Sequence, residues 1–136
     1  MAAALLGLAG CAPFPTPFAC SAVGYSSAAE IAVSEPAAGL QLELCGGADC
    51  IPGPVEMPLE VGSTATPLAT GVFDLTGNSE TGWTATMLDA PTQMGFRLKD
   101  RGGNTLREGS VDVAWQRVDG TEQCGGNQRA DFVITP

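Results

Sequence analysis

The sequence predicts an all-β fold: a single sandwich of about seven or eight short antiparallel strands, held by disulfides. Eighteen Gly and ten Pro are spread along the 136 residues, and they punctuate the chain too often for long helices. Between them, apolar and polar residues alternate with the period of two that marks a half-buried strand. Five cysteines accompany this pattern in a chain that has no histidine. The length fits one domain, and 44% hydrophobic against 15% charged residues suits a packed core rather than a disordered chain.

The elements follow in order. Ala29 to Ser34 reads as a strand with Ile31 and Val33 on one face. Ser27 and Glu30 also have the spacing of a helical capping box, but the run after them is β-branched and meets Pro36 within six residues, so strand is the better assignment. Pro36 to Gly39 makes a turn, and Leu40, Leu42 and Leu44 then alternate with Gln41 and Glu43. Val55, Met57, Leu59 and Val61 alternate with Glu56, Pro58 and Glu60, which predicts an edge strand or extended loop, because Pro58 cannot donate to a ladder. Val72 to Leu75 follows, ended by Gly77-Asn78. Trp83, Ala85 and Met87 share a face in the run Trp83 to Leu88, and Met94, Phe96 and Leu98 share one in the next. Asp100 to Asn104 is a hairpin connection, Val111, Val113 and Trp115 form another inward face, Asp119-Gly120 turns the chain, and Asp131 to Thr135 closes it. Open sheets with one apolar face bury it by stacking, so two sheets face to face is the expected architecture.

The net charge of −9 is unevenly placed: residues 1–96 hold nine acids and no Lys or Arg, while residues 97–136 hold six of each sign. Nucleic acid is therefore not an expected partner, because neutralising phosphates requires a basic face. An anionic membrane surface would repel the domain as well, and the apolar stretch Ala2 to Ala9 is far shorter than a spanning helix of roughly 20 residues.

That stretch has another reading. Ala2 to Gly10 is the apolar part of a signal peptide running into small residues, and Leu8-Ala9-Gly10-Cys11 resembles a bacterial lipobox. The resemblance implies that residues 1–10 are removed, that Cys11 carries a diacylglycerol thioether, and that the chain is lipid-anchored on the extracytoplasmic face of the cell membrane. No Lys or Arg precedes the apolar run, which predicts a translation start further upstream. Residues 11–19 form a tether, with Pro at 13, 15 and 17 favouring a stiff, extended form, and residues 20–136 form the domain.

With Cys11 assigned to lipid, Cys20, Cys45, Cys50 and Cys124 are left as an even set in an exported chain, the usual sign of a disulfide framework. Three pairings are open. The favoured one joins Cys45 to Cys50 across the Gly-rich loop Gly46 to Asp49, and Cys20 to Cys124 across the domain's two ends. Zinc is disfavoured because no histidine completes a ligand set, and Cys-x4-Cys is not the spacing of a redox dithiol.

The strand spacing resembles an immunoglobulin-like sandwich, although the Cys-Trp-Cys order of those domains is not reproduced. Trp115, Arg117 and Cys124-Gly125-Gly126 resemble small actinobacterial lipoproteins, which implies no activity. Without histidine the common Ser/His and Cys/His nucleophile pairs are ruled out, and no phosphate-binding or dinucleotide loop is present. No catalytic residue, metal or cofactor is assigned, and the acids near Gly match turns rather than an EF-hand. The expected function is a membrane-anchored, non-catalytic envelope protein with a structural or protein-binding role. A ligand- or glycan-binding module using Trp83, Trp115 and Tyr25 is the alternative, disfavoured because both tryptophans fall on inward faces. A carboxylate-dependent hydrolase is the third reading.

Overall fold

The structure is a computed structural model that describes Cys20, residues 24–55 and residues 70–136. The expected signal and tether, Cys11 included, and the alternating run beyond Val55 lie outside the described residues. Eight strands are present among those described: β1 Ser27–Val33, β2 Gln41–Gly46, β3 Val72–Asn78, β4 Gly82–Met87, β5 Gln93–Lys99, β6 Thr105–Asp112, β7 Gln116–Arg117 and β8 Gln128–Ile134. They form a five-stranded sheet in the order β3-β4-β1-β8-β7 and a three-stranded sheet in the order β2-β5-β6.

The alternation read from the sequence decides what lies between the sheets. Ala29, Ile31 and Val33 of β1 and Trp83, Ala85 and Met87 of β4 point inward from the first sheet. Leu42 and Leu44 of β2 and Met94, Phe96 and Leu98 of β5 point inward from the second, and all of these share one core with Val72, Ala130 and Ile134. Leu44, Met94 and Leu98 are completely buried.

The connections of β1, β4 and β3 on one sheet and β2, β5 and β6 on the other are those of the B, E, D and C, F, G strands of an immunoglobulin domain. β8 stands beside β1 where an A strand would stand, and here one expectation is corrected. The sandwich is not wholly antiparallel, because β8 runs parallel to β1 over seven residue pairs, from Ser27 with Gln128 to Val33 with Ile134. The cause is the route of the chain. After β6 it crosses between the sheets at Val113 to Trp115, makes the short β7 and returns through the 118–127 turn, so that β8 sets out from the same end as β1.

That crossing corrects a second expectation. Val111, Val113 and Trp115 all pack on the core, but only Val111 lies in a strand: β6 begins at Thr105 and ends at Asp112, before Val113 and Trp115. Its register is set by the hairpin with β5, whereas the apolar run marks the crossover. Val113 is still buried, its N–H donating to the Thr92 carbonyl, and the Trp115 indole donates to the Pro91 carbonyl at 2.8 Å. The two crossing connections are thereby tied together.

Both ends of the sandwich are closed by specific contacts. At one end Cys20 is bonded to Cys124, and Asn127 accepts from the Ser26 N–H at 2.9 Å while donating to Asp119. At the other, the Ser79 hydroxyl donates to the Ala37 carbonyl, and the Arg101 guanidinium lies over Gly39, where a Cβ would come within 2.7 Å of it. The loops at 34–40, 79–81 and 100–104 therefore cluster at the end away from Cys20, about 23 Å off along a seven-residue strand.

Truncating Leu44 to Ala leaves a cavity in the middle of this core and is expected to cost about 2–5 kcal/mol in denaturant unfolding. Leu42→Asp or Val113→Asp buries an unpaired charge and is expected to abolish the cooperative transition. Retained cooperativity in either charged variant would show that these faces are wrongly assigned.

Candidate functional site

The outward face of the three-stranded sheet carries the most organised polar surface among the described residues. Because Leu42 and Leu44, and Met94, Phe96 and Leu98, point into the core, the residues between them point out: Glu43 and Cys45 on β2, and Gln93, Gly95, Arg97 and Lys99 on β5. On β6 the partners of this row are Asp112, Ser110 and Glu108. Arg97 bridges acceptors on two strands and the stapled segment, reaching Glu108 of β6 at 2.5 Å, Glu43 of β2 at 2.9 Å and the Pro52 carbonyl at 3.2 Å. Lys99 adds a second cation to Glu43 at 2.6 Å.

Burial pushes the Glu43 carboxyl up, but the hydrogen bonds and charges of Lys99 and Arg97 outweigh it and hold it below its ordinary value. The hydrogen bonds that Arg97 donates to Glu108 and Glu43 raise its guanidinium further above its already high value. In the hairpin at the far end, the Asn104 side chain and backbone N–H lower the Asp100 carboxyl. Glu43 and Asp100 are thus kept as anions, the reverse of what a general acid at neutral pH requires.

Above Gly95 lies the Cys45–Cys50 disulfide, which closes the loop 46–49. Gly47 and Asp49 adopt left-handed backbone conformations in this loop, with φ of 119° and 57°, and the Gly47 N–H donates to the Gln93 carbonyl. The chain then returns beside β2, where Gly53 bridges to Leu44. Gly95 is the residue that allows this: a Cβ there would lie 2.6 Å from the Cys45 sulfur and 3.1 Å from that of Cys50. Cys45 faces outward yet is fully buried, because the stapled loop covers it. Between the loop and β6 a groove of about 380 Å³ remains open, floored by Gly95 and Gly109 and walled by Asp49, Cys50, Glu108 and Ser110.

A second, smaller hollow of about 230 Å³ lies on the outer face of the five-stranded sheet, over Ala32 and Gly82, with Glu30, Asp131, Thr81 and Thr84 around it. Glu30 and Asp131 are side by side in register, and Glu30 pairs with Arg129 at 3.3 Å. Both carboxylates are exposed on an open sheet surface, and the hollow is smaller than the 300 Å³ or more typical of ligand pockets.

The aromatic side chains named from the sequence are not gathered into a platform. Trp83 is 6% exposed and packs in the core, Trp115 packs against the core's edge with its N–H satisfied by Pro91, and Tyr25 is half-buried against Gly125. The disulfides join Cys45 to Cys50 and Cys20 to Cys124, and Cys11 lies outside the described residues. Among the described residues no group of three or more acidic, Cys or His side chains is placed to hold a metal ion. Sequence reasoning did not single out Gly95, although an isolated Gly in an otherwise alternating strand is the sign of a close backbone approach. The Glu43, Arg97 and Glu108 constellation carried no such sign. Comparison with protein-family models, with curated proteins and with solved structures finds no match to the chain.

Gly95→Ala is expected to destabilise the domain by about 1–3 kcal/mol, because its methyl group overpacks against the disulfide. The cost should fall sharply in a Cys45→Ala/Cys50→Ala background, and an undiminished cost in that double-mutant cycle would refute the contact. For Glu43, whose folded value is lowered, the stabilising contribution is complete above the ordinary carboxylate value of 4.5 and is lost as pH falls through the lowered folded value. Glu43→Gln should therefore melt a few degrees below the parent at pH 7, and the difference should close in acid. A difference that widened in acid would contradict the assignment.

Proposed function

We propose that the chain is an exported cell-envelope lipoprotein, acylated at Cys11, whose sandwich is a non-catalytic module with a structural or protein-binding role outside the membrane. The observation that carries this reading is the division of the five cysteines. Four pair within the domain, and the one left over stands at the end of Leu8-Ala9-Gly10-Cys11. Two structural disulfides suit an oxidising compartment, and two acyl chains suffice for stable anchoring. Because Cys20 is bonded to Cys124, the segment leading from Cys11 enters at one end of the sandwich, and the loop cluster at 34–40, 79–81 and 100–104 lies at the other.

The recognition role is favoured over the two alternatives by what the surface offers. Against a glycan module built on exposed aromatics, Trp83 and Trp115 are spent on packing, and no aromatic platform is found among the described residues. A carboxylate hydrolase needs one acid raised in an apolar cleft, whereas Glu43 and Asp100 are both lowered.

Replacing Cys11 by Ser is expected to shift the protein from the membrane fraction to the soluble or precursor pool, leaving both disulfides and the melting temperature unchanged. Intact mass of the membrane-extracted protein should show a chain beginning at Cys11 with added acyl mass. An unmodified chain retaining residues 1–10, or Cys11 found in a disulfide, would overturn the proposal.

A further inference from the structure

We infer that the outer edge of β6, which has no strand partner among the described residues, binds together with the groove beside it an extended cationic polypeptide segment that adds to the three-stranded sheet as a fourth strand. This rests on the reading of the domain as a protein-binding module and names the face and the class of partner.

Three independent features of β6 carry the inference. First, β5 is its only strand neighbour among the described residues, and every residue from Thr105 to Ser110 is exposed. A strand in that position presents a row of N–H and C=O groups that can template another strand. Its register with β5 runs without interruption from Leu98 with Arg107 to Gln93 with Asp112, the one irregularity being confined to the hairpin end. That leaves about 20 Å of regular ladder with no proline in it.

Second, the surface next to this edge is hollow. Gly95 and Ser110 are opposite one another on the outward face, and these small residues leave the space between β6 and the stapled loop open. On a strand added beside β6, side chains of one face would stand next to Glu108 and Ser110. A long side chain there can cross Ser110 into the groove of about 380 Å³ toward Asp49.

Third, the charge of this face selects a cation. Its acids are Glu43, Asp49, Glu108 and Asp112, and its bases are Arg97 and Lys99. Both bases are consumed by Glu43 and Glu108, while Asp112 is bonded only to the neutral Gln93 and Asp49 makes no ion pair among the described residues. Gly47 of the stapled loop is hydrogen-bonded to Gln93, the register partner of Asp112, so that loop and Asp112 stand at the same end of the three-stranded sheet. Arg107, the other charge on β6, is opposite the buried Leu98 and so belongs to the other face.

The test uses the full chain in detergent and the synthetic peptide acetyl-Thr-Val-Thr-Arg-Thr-Val-Thr-amide as probe. Binding is expected to slow hydrogen exchange at amides within 107–112 and to shift the resonances of Gly95 and Gly109. Asp49→Asn should weaken it by about fivefold, as loss of one charge pair does, with no change in melting temperature. A peptide with Glu in place of Arg should not bind, nor should one N-methylated on alternate amides, a control that leaves the protein untouched. The proposal is overturned by absence of binding, by equal binding of the N-methylated peptide, or by protection that falls on the 34–40 or 100–104 loops instead. Self-association that protects β6 without peptide would assign the edge to a second copy and overturn it too. None of these outcomes alters the fractionation of Cys11→Ser, so failure here and failure of the lipoprotein reading are distinguishable.

Discussion

The architecture depends on the parallel pairing of its first and last described strands. β1 is the central strand of the five-stranded sheet, with β4 on one side and β8 on the other, and seven consecutive residue pairs join it to β8 across about 100 residues of intervening chain. A contact of that range closes a long loop before it gains anything, and the Cys20–Cys124 bond and the Asn127 hydrogen bonds act at the point where closure is made. Model loop entropy assigns a bond spanning roughly 100 residues about 4.7 kcal/mol, an effect on the unfolded chain rather than on any native contact. With β8 in place, Ala130 and Ile134 complete the core that Ile31 and Trp83 begin.

The same economy governs the other sheet. It has only three strands, and its outward side is partly roofed by a loop that a six-residue disulfide ring holds down on Gly95. The absence of a side chain at one position thus permits the staple, buries Cys45 and opens the neighbouring groove. Around it the charges are arranged for cohesion: Arg97 and Lys99 converge on Glu43 from one strand, and Arg97 continues to Glu108 on the next. Such a lattice orders β2, β5 and β6 laterally and leaves Asp49 and Asp112 without a basic partner among the described residues.

Function is read from what these constraints leave over. Trp83, Phe96, Trp115 and Phe132 serve packing, and the carboxylates of Glu43 and Asp100 are held as anions by cations or amides. What is exposed and regular is backbone, along β6, beside a small acidic groove. On the proposed reading, recognition would run through strand pairing and charge, and an anchor reaching the domain at Cys20 would leave both that edge and the far loops accessible.

The sequence by itself determined the strand class, the inward faces of β1, β2, β4 and β5, the turns at Gly39, Gly103 and Gly120, and the residue set from which two disulfides are made, because these depend on local period and on turn chemistry. It also kept Trp83 in the core, since its neighbours at i+2 and i+4 are Ala85 and Met87. Only the tertiary structure decided that β8 runs parallel to β1, that Val113 to Trp115 is a crossover rather than a strand, and that Gly95, Arg97 and Glu108 meet Glu43 and the stapled loop. A period-two pattern states which face of a strand is buried but is silent on its neighbour, because the pattern is the same whichever strand lies alongside. The neighbour is chosen by the free energy of the whole sandwich, in which every inward face must be covered and every connection must reach.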